Sequence, residues 1–100
     1  RGFLCFPEVD IKMRFTRGMN SLLTSKLSAQ TAHHAMVLGR RYTAPEAETA
    51  GIVDGIFSET DLEARAIAYA ESLVGKDAAT IATIKQTLYA STLALLRAAP

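Results

Sequence analysis

The chain has 100 residues, of which 49% are hydrophobic and 21% charged, and its formal net charge is +1. Its apolar runs are all shorter than the roughly 18 to 20 residues that a membrane-spanning helix needs, so we predict no membrane segment. A single cysteine excludes an internal disulfide, and no Cys/His pair has the spacing of a zinc site. We therefore expect one small domain, or a piece of a larger one.

The first element is an uncharged apolar run at residues 2–6. Successive side chains of a strand point to opposite faces, and here the side chains on both faces are apolar. This predicts a strand that is buried on both faces. Pro7 has no N–H for strand pairing and ends the strand, so Glu8 lies where a buried strand meets a loop. A carboxylate at such a strand end is a candidate general base, because partial loss of water there favours proton transfer.

After Glu8 the chain alternates between apolar and charged residues. This alternation predicts a short, half-exposed extended segment whose inward side chains are Val9, Ile11, Met13 and Phe15. Gly18 then predicts a sharp turn, followed by a helix over residues 19–27 with apolar side chains on one face. The N terminus of this helix lies close to Glu8 in sequence and offers free backbone N–H groups.

Three helix-capping signals organise the middle of the chain. Ser28 predicts the N-cap of a helix over residues 29–38, and Gly39 predicts its left-handed end. Thr43 and Glu46 have the spacing of a capping box, which starts a short helix that Gly51 stops.

The last part of the chain is predicted to be almost entirely helical. We expect an extended piece at residues 52–57, a helix at 58–75 and a long helix at 78–97. One strand and one extended piece cannot form a stable sheet alone. Because the chain also begins at Arg1 rather than at a methionine, we expect it to be a fragment of a larger protein.

Three blocks of the sequence together resemble a known family: RGFLCFPEVDI, AMVLGRRYTAPEAETAGIVDGIF and the terminal IKQTLY helix. In this order they are similar to the C-terminal part of the enoyl-CoA hydratase/isomerase (crotonase) family. The segment that runs from Glu8 to Ile11 is most similar to the version in Δ3,Δ2-enoyl-CoA isomerases. The resemblance covers essentially the whole chain.

The resemblance implies an α/β fold, in a fragment that is mostly helical. Residues 1–57 would be the end of a ββα spiral core that carries the catalytic loop. Residues 58–100 would be the C-terminal helical region through which members of the family form trimers or dimers of trimers. The implied partners are an acyl-CoA substrate and further copies of the chain, with no nucleic acid and no membrane.

The resemblance also implies roles for individual residues. Glu8 matches the family's catalytic carboxylate, and no metal or other cofactor is implied because the CoA thioester is itself the substrate. The acyl chain would run along Phe15, Met19 and Leu22, and Lys85 would lie near the CoA phosphates. The predicted reaction is Δ3,Δ2-enoyl-CoA isomerisation in fatty-acid β-oxidation.

Two departures from the family pattern leave alternatives open. Arg17 stands where many relatives have proline, and the two backbone donors of the family's oxyanion hole come from segments upstream of Arg1. We therefore expect this chain alone to be inactive. The alternatives are an enoyl-CoA hydratase or another crotonase reaction, and an inactive chain that serves only as an oligomerisation module. The compartment, whether peroxisome, mitochondrion or cytoplasm, stays open.

Other candidate residues have simpler interpretations. Asp10 is the competing carboxylate but is expected to face solvent or an arginine, and Cys5 is expected to fill the core. His33 and His34 are adjacent on a helix, so they point about 100° apart and cannot chelate one ion together. Basic residues crowd the first 41 positions, but no aromatic residues are interleaved with them, so nucleic-acid binding is not predicted. We interpret them first as diffuse, solvated surface charge and second as groups that attract the CoA phosphates. They are Lys12, Arg14, Arg17, Lys26, Arg40 and Arg41.

Overall fold

A computed structural model describes residues 2–98 of the chain. Within this range there are six α-helices, one 3-10 helix at Pro7–Val9 and one π-helix at His33–Val37. The mostly helical character of the predicted fold is confirmed, whereas the ββα spiral stays a prediction. Arg1, Ala99 and Pro100, which the two predicted regions include, lie outside the described residues. The α-helices are α1 (Arg17–Lys26), α2 (Ala29–Ala32), α3 (Ala44–Thr49), α4 (Leu62–Glu71), α5 (Ala78–Leu88) and α6 (Ala90–Arg97).

The buried strand predicted at residues 2–6 is wrong, because this segment forms only a single antiparallel bridge. Leu4 exchanges two backbone hydrogen bonds with Tyr42, at 2.9 and 2.8 Å. Pairing cannot continue past this bridge, since Pro7 lacks an N–H on one side and Thr43 already caps a helix on the other. Phe3, which the prediction buried, is 65% exposed.

The extended segment predicted after Glu8 is also wrong. Pro7 begins a 3-10 helix there, which its fixed backbone φ favours, and a turn through Lys12 follows. Lys12 has a left-handed φ of 58°, which reverses the direction of the chain. Side chains on either side of it therefore do not alternate between two faces as they would in an extended segment. Of the four side chains predicted to face inward, only Phe15 is half-buried, whereas Val9, Ile11 and Met13 are exposed.

The helix predicted at residues 19–27 is present but starts earlier, at Arg17. Thr16 caps it, because its hydroxyl oxygen accepts a hydrogen bond from the N–H of Met19 at 3.2 Å. Gly18 is therefore a helical residue, not the predicted turn, and it is buried where α6 crosses α1. At the same crossing, the hydroxyl groups of Ser21 and Thr92 form a hydrogen bond of 2.6 Å.

The capping signals in the middle of the chain are confirmed. Ser28 caps α2, and the Thr43 and Glu46 side chains and backbones make both hydrogen bonds of the capping box that begins α3. Gly39 has the expected left-handed φ, at 62°. However, the helix predicted as one α-helix over residues 29–38 changes after one turn into the π-helix.

The core is small and lies between the first residues and α3. Its fully buried members are Ala35, Tyr42 and Ala47, and the Arg40 guanidinium lies 4.8 Å from the centre of the Tyr42 ring. The residues packed around this core are half-buried; they are Leu4, Phe6, Ala50, Ile52 and Val53. Residues 52–57, predicted to be extended, form bends and irregular chain that lie over it.

The two terminal helices differ from their predictions in length. The helix predicted at 58–75 is α4, which begins only at Leu62, and the long helix predicted at 78–97 is broken at Tyr89 into α5 and α6. The ammonium group of Lys26 donates a hydrogen bond of 2.8 Å to the Tyr89 hydroxyl, which holds the end of α1 against this break. The bond to Tyr89 raises the pKa of Lys26 because it favours the charged ammonium.

Candidate functional site

Glu8 lies in a compact turn whose backbone groups are largely paired. The carbonyl of Pro7 accepts hydrogen bonds from the N–H groups of Asp10 and Ile11, at 2.9 and 3.1 Å. The carbonyl of Glu8 accepts a hydrogen bond of 2.9 Å from the N–H of Met13, which closes the turn. We call residues 7–13 the Glu8 turn. Its hydrogen bonds fix the position of the Glu8 backbone.

The carboxylate of Glu8 has one oxygen in an unusual environment. Its Oε1 atom is buried, and within the part of the chain that the structure describes it has no hydrogen-bond partner. A buried acceptor without a partner typically lowers the stability of the folded state by about 1 to 3 kcal/mol. Unpaired buried polar groups therefore call for an explanation, and a reactive role is one of the accepted ones. The oxygen therefore has unused capacity to accept a proton or a hydrogen bond.

The competing candidates have less suitable surroundings. Asp10 is exposed, and its carboxylate lies beside the backbone of Gly39. Cys5 is half-buried in the segment that pairs with Tyr42. The rings of His33 and His34 meet edge to face with 6.0 Å between centroids, and no cluster of three metal-ligating side chains exists within residues 2–98.

The predicted substrate-binding residues are distributed over three parts of the molecule. Phe15 is half-buried in the chain that leads into α1, and Met19 and Leu22 lie one turn apart on α1 itself. Lys85 is exposed on α5, which packs only against α6. The 3-10 helix that carries Glu8 contacts neither α1 nor α5. The structure thus places Met19 and Leu22 on one helix with Phe15 in the chain that precedes it, and leaves Glu8 and Lys85 on other elements.

Phe15 lines the largest of the cavities near these residues. This cavity of about 660 Å³ lies between the chain that enters α1 and the C-terminal half of α6. Its lining includes the apolar residues Met13, Phe15, Leu95 and Leu96 together with Arg14 and Arg17. Neither Glu8 nor Lys85 belongs to its lining.

Comparison with known protein families identifies the chain. The family model described as enoyl-CoA hydratase/isomerase matches residues 7–98. The chain belongs to the enoyl-CoA hydratase/isomerase family. Searches among curated proteins and among solved structures each give no significant match.

Membership of the enoyl-CoA hydratase/isomerase family gives the candidate residues a chemical context. The family acts on enoyl-CoA thioesters, so the chain carries an acyl-CoA enzyme domain of hydratase/isomerase type. The match begins at Pro7 and therefore includes Glu8 and the other predicted site residues. Within residues 2–98, no helix has both the length and the hydrophobicity to cross a membrane.

Two features of this enoyl-CoA hydratase/isomerase domain were not predicted from the sequence. Arg14 and Arg17 were interpreted as diffuse surface charge, but they line the cavity beside Phe15. Gly39 was interpreted only as a helix end, yet it packs closely against Val9 and Asp10 of the Glu8 turn. No local signal reveals such a contact, because the partners are about thirty positions apart in the chain.

Proposed function

We propose that the chain is the C-terminal part of a Δ3,Δ2-enoyl-CoA isomerase of fatty-acid β-oxidation, in which Glu8 transfers the proton. The observation that carries this proposal is the buried, unpaired Oε1 atom of Glu8. A general base must have a free acceptor oxygen that faces the proton it removes. The Oε1 atom of Glu8 has no hydrogen-bond partner within residues 2–98, and it belongs to a turn whose backbone is held by hydrogen bonds. The proposal requires the substrate to reach this buried atom.

The proposed reaction moves one proton between two carbons of a 3-enoyl-CoA. Glu8 removes a proton from C2, the electrons delocalise into the thioester carbonyl as an enolate, and the protonated Glu8 returns the proton at C4. The C3–C4 double bond thereby becomes a C2–C3 double bond. No electron is gained or lost overall, so the reaction needs no redox cofactor. The Glu8 carboxylate must therefore lie within hydrogen-bond reach of both C2 and C4 of the bound substrate.

The enolate needs donors that the proposal places outside this chain. Two backbone N–H groups would hold the thioester oxygen, and we assign them to an upstream part of the full-length enzyme. The loss of one donor of this kind costs about 100- to 1000-fold in rate. The 100-residue chain alone is therefore expected to have negligible activity.

We further propose how the substrate lies on the chain. The acyl tail would follow the apolar side chains of Phe15, Met19 and Leu22. Phe15 contributes to an apolar cavity large enough for several methylene groups. Lys85 would attract the CoA phosphates, for which its exposed ammonium on α5 is available. Closure of α5 toward the Glu8 turn, or a further copy of the chain, would be needed to bring this group to the same substrate.

The decisive experiment replaces Glu8 in the full-length enzyme. Glu8→Gln keeps the size of the side chain but removes the base, so we expect the rate of 3-enoyl-CoA isomerisation to fall by about 100- to 10,000-fold. Glu48→Gln, at an exposed position of α3, is the matched control and should keep its activity. Full isomerase activity of Glu8→Gln would show that the assignment is wrong.

The same preparations distinguish the other two functions. Hydration of a 2-enoyl-CoA is measured in parallel, and a faster hydration than isomerisation would favour the hydratase alternative. If the 100-residue chain is active by itself, the assignment of the donors to an upstream segment fails. If the full-length protein catalyses neither reaction, an oligomerisation role becomes the better explanation.

A further inference from the structure

The backbone of Gly39 lies so close to the Glu8 turn that a side chain there would displace its neighbours. A Cβ atom at Gly39 would lie 2.9 Å from Cγ1 of Val9 and 3.1 Å from Oδ2 of Asp10. The first distance is shorter than real Cβ contacts, so either the β-branched Val9 side chain or one of the two segments would have to move. Gly39 also has a φ of 62°, where side chains are disfavoured in any case. Two independent features therefore favour glycine at this position.

A steric displacement of Val9 would also displace Glu8. The two residues are neighbours in the same 3-10 helix, whose first carbonyl, on Pro7, accepts two hydrogen bonds. The carbonyl of Glu8 is bonded to Met13, which closes the turn from the other side. Because these bonds tie the turn together, a displacement of Val9 moves the whole unit and with it the buried Oε1 atom.

The π-helix accounts for the position of Gly39. At its end the N–H of Leu38 bonds to the carbonyl of His33 at 3.3 Å, and the N–H of Arg40 bonds to His34 at 3.1 Å. These wide hydrogen-bonded turns add chain relative to an α-helix, and π-helical turns are often found at functional sites. They carry the backbone of Gly39 directly against the Glu8 turn, where the 3-10 helix and the π-helix are in contact.

We propose that Gly39 is a positioning residue for Glu8. Its missing side chain lets the end of the π-helix support the Glu8 turn, and this support sets where the carboxylate oxygen meets the substrate. The proposal rests on the proposed function, because it assumes that Glu8 transfers the proton. Gly39 itself touches no reacting atom in this arrangement.

The test compares two glycine substitutions in the full-length enzyme. Gly39→Ala introduces the Cβ contact with Val9 together with left-handed backbone strain. Gly51→Ala is the matched control, because Gly51 has a similar φ of 77° but a Cβ there would meet nothing within 4 Å. We expect Gly39→Ala to lower kcat for 3-enoyl-CoA by about 10- to 100-fold, since a misplacement of about 1 Å has effects of this size. KM should change little, and Gly51→Ala should keep its kcat at a similar melting temperature.

A second substitution tests whether the steric contact is the cause. Val9→Ala removes the Cγ1 atom that the new Cβ would strike, and the exposed Asp10 carboxylate can rotate away. The double variant Val9→Ala, Gly39→Ala should therefore recover most of the kcat that Gly39→Ala loses. A loss of kcat caused by left-handed backbone strain at residue 39 alone predicts no such recovery, because Val9→Ala does not change that strain.

The outcomes separate this proposal from the proposed function. If Glu8→Gln is fully active, the proposed function fails and the positioning role fails with it. If Glu8→Gln is inactive but Gly39→Ala and Gly51→Ala have equal kcat, only the positioning role is overturned. Should Gly39→Ala fail to fold, an active double variant still supports the proposal, whereas an inactive or unfolded double variant overturns it when Gly51→Ala folds.

Discussion

The side chain of Glu46 makes the strongest case for a local electrostatic contribution to stability. Its Oε1 atom accepts a hydrogen bond of 2.9 Å from the N–H of Thr43, and its Oε2 atom lies 3.4 Å from the Arg40 guanidinium. The Thr43 N–H is the main reason that the pKa of Glu46 is lowered, and Arg40 contributes less. Both partners favour the ionised carboxylate, so folding stabilises the charged form.

This shift predicts the direction of a pH dependence. Because the pKa is lower in the folded state than in the unfolded state, the contribution of Glu46 is present above the unfolded pKa and is lost as the pH falls through the folded one. Glu46→Gln should therefore be less stable than the parent at neutral pH, and the difference should shrink in acid. Urea unfolding across a pH series measures it. Glu48→Gln on the same helix is the control, and an equal pH dependence for both variants would contradict the assignment.

Residue-level features differ in how far the sequence predicts them. The capping box of Thr43 and Glu46 depends on four consecutive residues, and its prediction is confirmed because no distant contact is involved. The left-handed end at Gly39 is confirmed for the same reason. The packing of Gly39 on Val9 joins segments that are remote in sequence, so no local pattern contains it. The role of Glu8 came from the family resemblance and stays a prediction.

At the level of elements, the helices were predicted better than their ends and partners. A strand at residues 2–6 followed from apolar composition, but a strand also needs neighbours, and the only pairing of this segment is the bridge to Tyr42. The break at Tyr89 was missed because no glycine or proline marks it. Gly18 was taken as a turn, whereas its small size serves the crossing of α1 and α6.

The crossing of α1 and α6 gives a prediction about stability. A Cβ at Gly18 would lie 2.8 Å from Cδ2 and 3.2 Å from Cα of Leu96, so Gly18→Ala must push the helices apart. Overpacking of this kind costs about 1 to 3 kcal/mol, although alanine recovers about 1 kcal/mol through its higher helix propensity. We expect a net loss in the free energy of unfolding, measured by urea denaturation of the 100-residue chain.

A matched glycine provides the control for this prediction. A Cβ at Gly75 would meet nothing within 4 Å, so Gly75→Ala should change the stability by no more than about 0.5 kcal/mol. Shortening the opposing side chain in the double variant Gly18→Ala, Leu96→Ala should remove much of the steric conflict. An increase in stability for Gly18→Ala alone would mean that α6 does not pack on α1 as described.

On the scale of the whole molecule, the chain is more open than its size requires. Its radius of gyration is 16.0 Å, whereas a compact domain of 100 residues has about 13 Å. Its accessible surface is 7930 Å², whereas a compact monomer of 10.8 kDa exposes about 5,500 Å². The excess, about 2,400 Å², is within the range that permanent protein interfaces bury. The open shape thus agrees with a chain whose surface is covered by further protein.

The excess surface is concentrated in residues 62–88, which comprise α4, α5 and the turns between them and which we call the terminal arm. Among the described helices, the arm packs on α6 through α5, and the Arg65 guanidinium of α4 lies 4.9 Å from the centre of the Phe57 ring. Its apolar side chains are between 39% and 77% exposed, an unusual amount for helices that remain in solvent. They are Leu62, Ile67, Tyr69, Leu73, Val74, Ile81, Ile84 and Leu88. This surface supports the prediction, implied by the family resemblance, that residues 58–100 form the oligomerisation region of a homotrimer or hexamer.

The terminal arm predicts how the 100-residue chain behaves in solution. We expect self-association at micromolar concentration, because burial of each large apolar side chain contributes about 1.5 to 3 kcal/mol. Ile84→Ser combined with Leu88→Ser, at positions 58% and 66% exposed, should weaken association at least about tenfold in sedimentation experiments. Ile11→Ser is the control, since Ile11 is similarly exposed, at 57%, but lies outside the arm. A parent chain that sediments as a monomer would contradict the oligomerisation proposal, and equal effects of the two sets of substitutions would place the contact outside the arm.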